Sequence, residues 1–344
     1  MNHLTITRPD DWHLHLRDGA MMEAVLDHTA ARFQRAIVMP NLSPPVTNVD
    51  LAHSYRQRIL AALPAASEFE PLMTLYLTDN TTADEIAQAQ ASGFVKGVKL
   101  YPAGATTNSD AGVTNIEHAF AALEAMSDCG MPLLVHGEVT DPEIDVFDRE
   151  RVFIDRILAP LCDRFTTLKI VFEHVTTRHA IEFVRSARSG VAATITPQHM
   201  RLNRNALFHG GLRPHNYCLP VLKAEAHRQA VHDAAVSGDP RFFLGTDSAP
   251  HSRASKESSC GCAGIYSAHA GIELYAEAFD GAGKLDLLEG FASHFGADFY
   301  GLQRNTGTLT LIREPWQIPD AYPVNGDALV PFRAGQQIAW SVKS

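Results

Sequence analysis

Eight short apolar, β-branched runs alternate with longer stretches of helical periodicity, and this rhythm restricts the fold more than any other feature of the chain. The runs are Leu4–Thr7 leading to His15, Ala36–Met39, Leu72–Leu77, Gly97–Leu100, Pro132–Val135, Lys169–Phe172, Ala192–Thr196 and Phe242–Gly245. Helical stretches lie between them, as in Ala20–Arg35, Asn48–Ala62, Thr82–Ser92, Thr114–Cys129, Arg149–Leu161, Thr177–Arg188 and Leu222–Val236, and another follows around Tyr266–Phe279. A β-then-α repeat returns the chain to the same end of the sheet, so the strands run parallel. Continuous apolar runs are what a parallel strand buried on both faces requires. Eight such units predict an α/β chain closed into a (β/α)8 TIM-type barrel. An open doubly wound sheet is the alternative. It would want a Gly-rich phosphate turn after the first strand, and none stands there. Residues 1–283 therefore read as the barrel. Residues 284–344 break the rhythm and read as a helix with short strands (Thr308–Ile312, Ala328–Pro331, Gln337–Val342) packed outside it in the same domain.

A barrel of this kind places its chemistry at the C-terminal ends of the strands. There the first run carries His13, His15 and Arg17, which share one face because strand residues two apart point the same way. The second ends at Asn41, the fourth at Lys99, the fifth at His136 and Glu138, the sixth at Glu173-His174, and the eighth at Asp247 with His251 beyond it. Each is ordinary alone; Asp247, for example, could simply cap the next helix. Four His, one Lys and one Asp at equivalent positions of five strands would nonetheless meet at one mouth.

Imidazole and carboxylate suit zinc, and a hydrolytic site keeps one position open for water. Six side chains exceed what one tetrahedral ion needs, so two ions bridged by hydroxide fit better. Lys99 is then awkward, because an ammonium beside two dications is repelled. It fits once its charge is removed or inverted, as in a carbamate formed with CO2.

The stretches Arg8–Gly19, Met39–Asn41, Gly97–Asn108, His136–Glu138, Phe172–His174, Thr196–His199 and Phe242–His251 resemble the dihydroorotases of the amidohydrolase superfamily, in their shorter bacterial type. The resemblance spans nearly the whole chain in the family's order, and no proposed ligand departs from it. It implies two zinc ions per chain, bridged by hydroxide and by Lys99 as N6-carboxylysine. His13, His15, Lys99 and Asp247 would hold the more buried ion; Lys99, His136 and His174 the more exposed one. Arg17, Asn41 and His251 would bind the substrate carboxylate, and backbone groups near Leu219 and Ala263 the pyrimidine ring. The implied reaction is reversible closure of N-carbamoyl-L-aspartate to L-dihydroorotate in pyrimidine synthesis. In hydrolysis the bridging hydroxide attacks the ring carbonyl, and Asp247, the catalytic acid–base, moves its proton to the departing nitrogen. Gly104–Gly112 reads as a mobile lid, with Thr106 and Thr107 reaching the substrate. A homodimer is also implied.

Composition narrows the partners. The net charge is −10, and no Lys/Arg run marks a nucleic-acid surface. Five cysteines without a secretory framework, no signal-like N-terminus and no membrane-length apolar run suggest a cytoplasmic protein acting on a small molecule. Cys260 and Cys262 lack nearby partners for a metal site of their own and read as loop residues. Trp12 reads as packing beneath the site. His199 reads as a second group behind the mouth, and His179, His209, His227, His232, His269 and His294 as surface or helix-face residues. Two other functions remain to be weighed: a hydantoinase or dihydropyrimidinase, whose substrates lack the ring carboxylate, and a silent barrel acting as a scaffold, which should have lost ligands.

Overall fold

The computed structural model describes residues 2–343. A peripheral strand, β1 (His3–Thr7), precedes eight parallel strands: β2 (Asp10–Leu14), β3 (Arg35–Val38), β4 (Glu70–Tyr76), β5 (Val95–Leu100), β6 (Leu133–Val135), β7 (Ile170–Phe172), β8 (Val191–Ile195) and β9 (Phe242–Leu244). They pair in sequence order from β2 to β9. Just past their ends the ring closes, where Asp247 N donates to His13 O (2.9 Å) and His15 N to Ser248 O (3.0 Å). The chain is therefore a (β/α)8 barrel with helices between its strands.

Local sequence explains the punctuation. Asn48, Thr82, Thr177 and Thr196 each accept a backbone N–H at a helix start, and Thr82 completes a reciprocal pair with Glu85. β6, β7 and β9 read Leu-Leu-Val, Ile-Val-Phe and Phe-Phe-Leu, and every residue in them is buried. One face of each barrel strand packs on the helices. The other fills the lumen with Ile37, Leu72, Leu134, Val171, Ala192 and Phe243.

Three expectations are corrected. The run Leu4–Thr7 is not the first barrel strand. It pairs antiparallel with β10 (Thr308–Ile312) in a separate sheet, and β2 opens the barrel instead. Its half-exposed alternation suits a covering sheet, not a strand buried on both faces. The first helix ends at Ala30, not Arg35, because Arg35 begins β3 and pairs with the buried Asp10 at 2.5 Å. The helix Phe295–Tyr300 does not lie outside the barrel wall. Its residues pack with the lumen cluster, and Tyr300 stacks on Trp12 with ring centroids 4.6 Å apart. This apolar plug leaves the opposite, C-terminal mouth for polar groups.

Candidate metal centre and carboxylate clamp

The mouth is built outward from Trp12. A register shift between Asp11 and Leu14 lets Trp12 point into the lumen while His13 and His15 also face inward above it. Asp11 holds this turn of chain. Its carboxylate accepts from His13 N (3.1 Å), Thr246 N (2.8 Å) and Thr246 Oγ1 (2.5 Å). It thereby fastens the end of β2 to the end of β9. Gly245 supplies room, since a Cβ there would lie 2.7 Å from Thr194 Cβ and 3.1 Å from His13 Cβ.

Three ligand-type atoms then converge. Asp247 Oδ1 lies 3.3 Å from His13 Nε2 and 3.1 Å from His15 Nε2, and the two Nε2 atoms are 3.2 Å apart. On the far side of His15, Nδ1 is 2.8 Å from Asn41 Oδ1, while Asn41 Nδ2 donates to Thr107 O. The Asn41 oxygen thus accepts from His15 Nδ1–H, and His15 presents a lone pair at Nε2. Burial holds His15 down at about 4, so it is neutral. A lone pair facing a carboxylate and a second imidazole nitrogen is favourable when a cation lies between them. The donor set therefore fits a metal ion. Burial opposes charge on His13 as well, but Glu173 and Asp247 outweigh it and raise His13 to about 9. Those imidazoles in turn hold Asp247 well below the usual carboxylate range despite its burial.

A second cluster adjoins the first. The rings of His15, His13, His174 and His136 follow one another at centroid separations of 5.2, 5.0 and 4.8 Å. His136 Nδ1 and His174 Nδ1 are buried without a hydrogen-bond partner among the described residues, an expensive state that a ligand would relieve. His136 Nε2 meets Glu138 Oε2 at 3.0 Å, which orients the ring. Lys99 is fully buried at the centre and donates to Glu173, with burial pulling its ammonium down. Among the described residues two groups have metal-compatible geometry: His13, His15 and Asp247, and His13, Glu173 and His174, each with ligand atoms within 4.8 Å.

Glu173, visible in the sequence at a strand end but assigned no role there, is the residue whose part sequence reasoning missed. Strand alternation makes Glu173 and its neighbour His174 point opposite ways, so choosing one discards the other. In the structure β7 parity sends Glu173 inward in step with Val171, and a positive φ of 42° at His174 turns that side chain in as well. Asp247 (φ 44°) and Arg17 (φ 63°) share this unusual backbone, which concentrates at functional sites.

Arg17 lies one step beyond His15. Its Nη2 contacts His251 Nε2 at 2.9 Å, and its Nε donates to Pro250 O at 3.2 Å. Burial, then the Arg17 charge, push His251 down to about 2, so it is neutral and accepts from Arg17. The Gly104–Gly112 loop is docked over the mouth. Asn108 Nδ2 donates to Asn41 O (3.0 Å), and Thr107 Oγ1 to Ala263 O (3.3 Å). Beneath it a cavity of about 20 Å³ is lined by His13, His15, Arg17, Asn41, Thr106, Thr107, His136, His174, Leu219, Asp247 and Ala263. Neither Lys99 nor His251 lines it: Lys99 is fully buried and His251 contacts Arg17.

Comparison with known proteins agrees with this geometry. Residues 10–328 match the amidohydrolase family. Proteins named dihydroorotase from Methylobacillus flagellatus and Cupriavidus necator are 65% and 67% identical over 340 residues, covering 99% of this chain and of each relative. The chain belongs to the amidohydrolase family, among its dihydroorotases. Within the same family, a crystal structure of dihydroorotase from Saccharomyces cerevisiae in complex with 5-fluoroorotic acid superposes with a TM-score of 0.92. It is 33% identical and covers 100% of this chain and 99% of that one. Amidohydrolase membership makes the chain a hydrolase.

Several residues set apart by sequence fall elsewhere. His199 is buried and tethers the 218–220 segment: its Nε2 meets Pro220 O at 2.9 Å and its Nδ1 meets Thr196 Oγ1 at 2.8 Å. His269 is not on the surface but is 1% exposed, beside Tyr266 and Tyr322. Cys260 is exposed, Cys262 half-buried, and both are free thiols.

Proposed function

We propose that this amidohydrolase interconverts N-carbamoyl-L-aspartate and L-dihydroorotate, using two zinc ions held at the barrel mouth. The observation that supports this most is the Arg17–His251 pair set one strand step from His13, His15 and Asp247. A cyclic amide bearing a ring carboxylate needs a metal-ligand cluster and a carboxylate clamp at about this spacing. The yeast neighbour was solved with 5-fluoroorotic acid, itself a pyrimidine carboxylate.

His13, His15 and Asp247 would hold one ion. His136, His174 and Lys99 as N6-carboxylysine would complete the second, with Lys99 shared. Carboxylation exchanges the buried ammonium for an anion, which suits a position among imidazoles. When bound, the zinc ions polarise the amide carbonyl and lower the pKa of water. Asp247 Oδ1 takes a proton from the attacking water and returns it to the departing ring nitrogen, acting as base and then acid. In synthesis it moves the proton the other way. Arg17 offers its planar fork to the ring carboxylate, with Asn41 and His251 beside it. Thr106 and Thr107 on the lid exclude water, and the backbone at Leu219 and Ala263 orients the ring. We further propose a homodimer in the cytoplasm. Among the described residues no helix is long and apolar enough to cross a membrane.

The test is the ultraviolet absorbance of dihydroorotate with purified, zinc-replete protein. Turnover that a chelator abolishes is expected. No turnover, or faster turnover of a hydantoin or a dihydropyrimidine without the carboxylate, would sink the proposal.

A further inference from the structure

Lys256 lies outside the metal cluster and the clamp, yet it is only 3% exposed. Its ammonium has three N–H donors, and the structure uses all three on backbone carbonyls: Tyr217 O (2.8 Å), Cys262 O (2.8 Å) and Gly264 O (2.7 Å). Burial pulls the ammonium down to about 8, a cost a surface lysine would not carry. The three acceptors belong to two segments distant in sequence. Tyr217 O also accepts from Gly264 N at 3.0 Å, so the segments are laced together around one cation.

What these segments carry gives the lacing a use. Leu219 and Ala263 both line the small cavity over the metal cluster. Ala263 O receives Thr107 Oγ1 from the docked lid at 3.3 Å. Gly264 is wedged against the clamp: a Cβ there would lie 2.8 Å from His251 Cδ2 and 2.6 Å from Ala249 O. Its φ of +151° is a backbone conformation that side-chain-bearing residues rarely adopt. Ala263 is therefore held between a lysine on one side and the clamp and lid on the other.

We propose that Lys256 is a positioning residue for the reaction. Its ammonium pins the 262–264 strap to the 217–219 segment, and so sets the backbone groups of Leu219 and Ala263, and the lid's landing carbonyl, against the substrate ring. The identity of that ring rests on the function proposed above. Removing the cation frees the strap while leaving the metal ligands and Asp247 in place. Binding then suffers more than chemistry.

Steady-state kinetics and hydrogen exchange on zinc-loaded full-length Lys256→Met test this. KM for dihydroorotate is expected to rise at least about tenfold with kcat within about threefold, the signature of lost binding shared by ground and transition states. Zinc content should be unchanged. Lys256→Arg, which keeps cation and donors, should recover part of the KM. Exchange at Gly264 and across residues 104–112 should quicken, with β5 to β9 unaffected. If Lys256→Met is insoluble, Lys256→Gln carries the same comparison. An unchanged KM with unchanged exchange overturns the proposal, as does faster exchange throughout the barrel with loss of zinc. If the unaltered protein fails to turn over dihydroorotate, the proposed function falls. Exchange at Gly264 then still decides whether Lys256 holds the strap.

Discussion

Arg17 Nη2 rests 2.9 Å from Nε2 of His251, a cation placed against a neutral imidazole in a nearly closed cavity. The contact joins the end of β2 to the loop after β9. It fixes the guanidinium's direction before any substrate arrives. A preorganised fork loses less rotamer freedom on meeting a carboxylate.

Replacing Arg17 by Gln is therefore expected to raise KM for dihydroorotate by about 10- to 150-fold, the range for losing charge-assisted hydrogen bonds of ~1.5–3 kcal/mol. Lys in its place should recover little, because a point charge does not reproduce the fork. Zinc content should stay at its original level. Steady-state kinetics with parallel metal analysis measure this, and unchanged kinetics would remove Arg17 from the clamp.

Metal and carboxylation should be separable. Chelation is expected to abolish activity and lower the melting temperature, because an ion that binds only the folded chain stabilises it by mass action. Restoring activity should require zinc together with bicarbonate, since Lys99 donates to Glu173 as an amine and, on the proposed function, would become a metal ligand only as a carbamate. Full recovery with zinc in CO2-free buffer would argue for an unmodified Lys99, with Glu173 as the second ligand.

On the proposed function, the 104–112 loop would have to open for turnover. A cavity of about 20 Å³ has room for about one water and none for a pyrimidine. The Asn41–Thr107, Asn108–Asn41 and Thr107–Ala263 contacts close it. Limited proteolysis is expected to nick residues 104–112 in the free protein and to slow with dihydroorotate present. Cleavage elsewhere, indifferent to substrate, would count against a moving lid.

Acid should destabilise the chain through histidines that the fold keeps neutral. Burial holds His28 and His199 down at about 4, against about 6.5 in the unfolded chain. Above about 6.5 neither state is protonated at these sites and they cost nothing. Between 6.5 and 4 the unfolded chain takes up protons that the folded chain refuses. The contribution of these two rings to stability must fall across that window by up to about two protons' worth of slope. Urea midpoints from pH 7 to 4 should fall accordingly, and less steeply in His28→Gln. A His28→Gln profile as steep as that of the unaltered protein would show that the fold does not hold His28 neutral.

Legibility differed sharply between parts of this chain. The barrel rhythm survives inspection of the sequence because parallel strands buried on both faces have little room for a polar residue without a partner. A run such as Leu133-Leu134-Val135 has few other readings. The same logic misplaced Leu4–Thr7, since a short apolar run says nothing of its partner, and β10 lies some 300 residues away. The proposed ligands were visible because each stands at a strand end. Glu173 was hidden because alternation is a rule for regular backbone, and φ at His174 is 42°. His269 was misread because burial of a lone histidine depends on the aromatic rings of other elements.

By itself the sequence determined the barrel, the residues at its mouth and the chemistry their types allow, because these follow from local periodicity and from what imidazole, carboxylate and guanidinium can bind. Tertiary structure alone decided which nitrogen of His15 faces Asp247, which carboxylate meets Lys99, and how Lys256 laces two distant segments beneath Leu219 and Ala263. Those are statements about distance between atoms far apart in the chain. The mouth also rests on positive-φ turns at Arg17, His174 and Asp247 that no periodicity encodes.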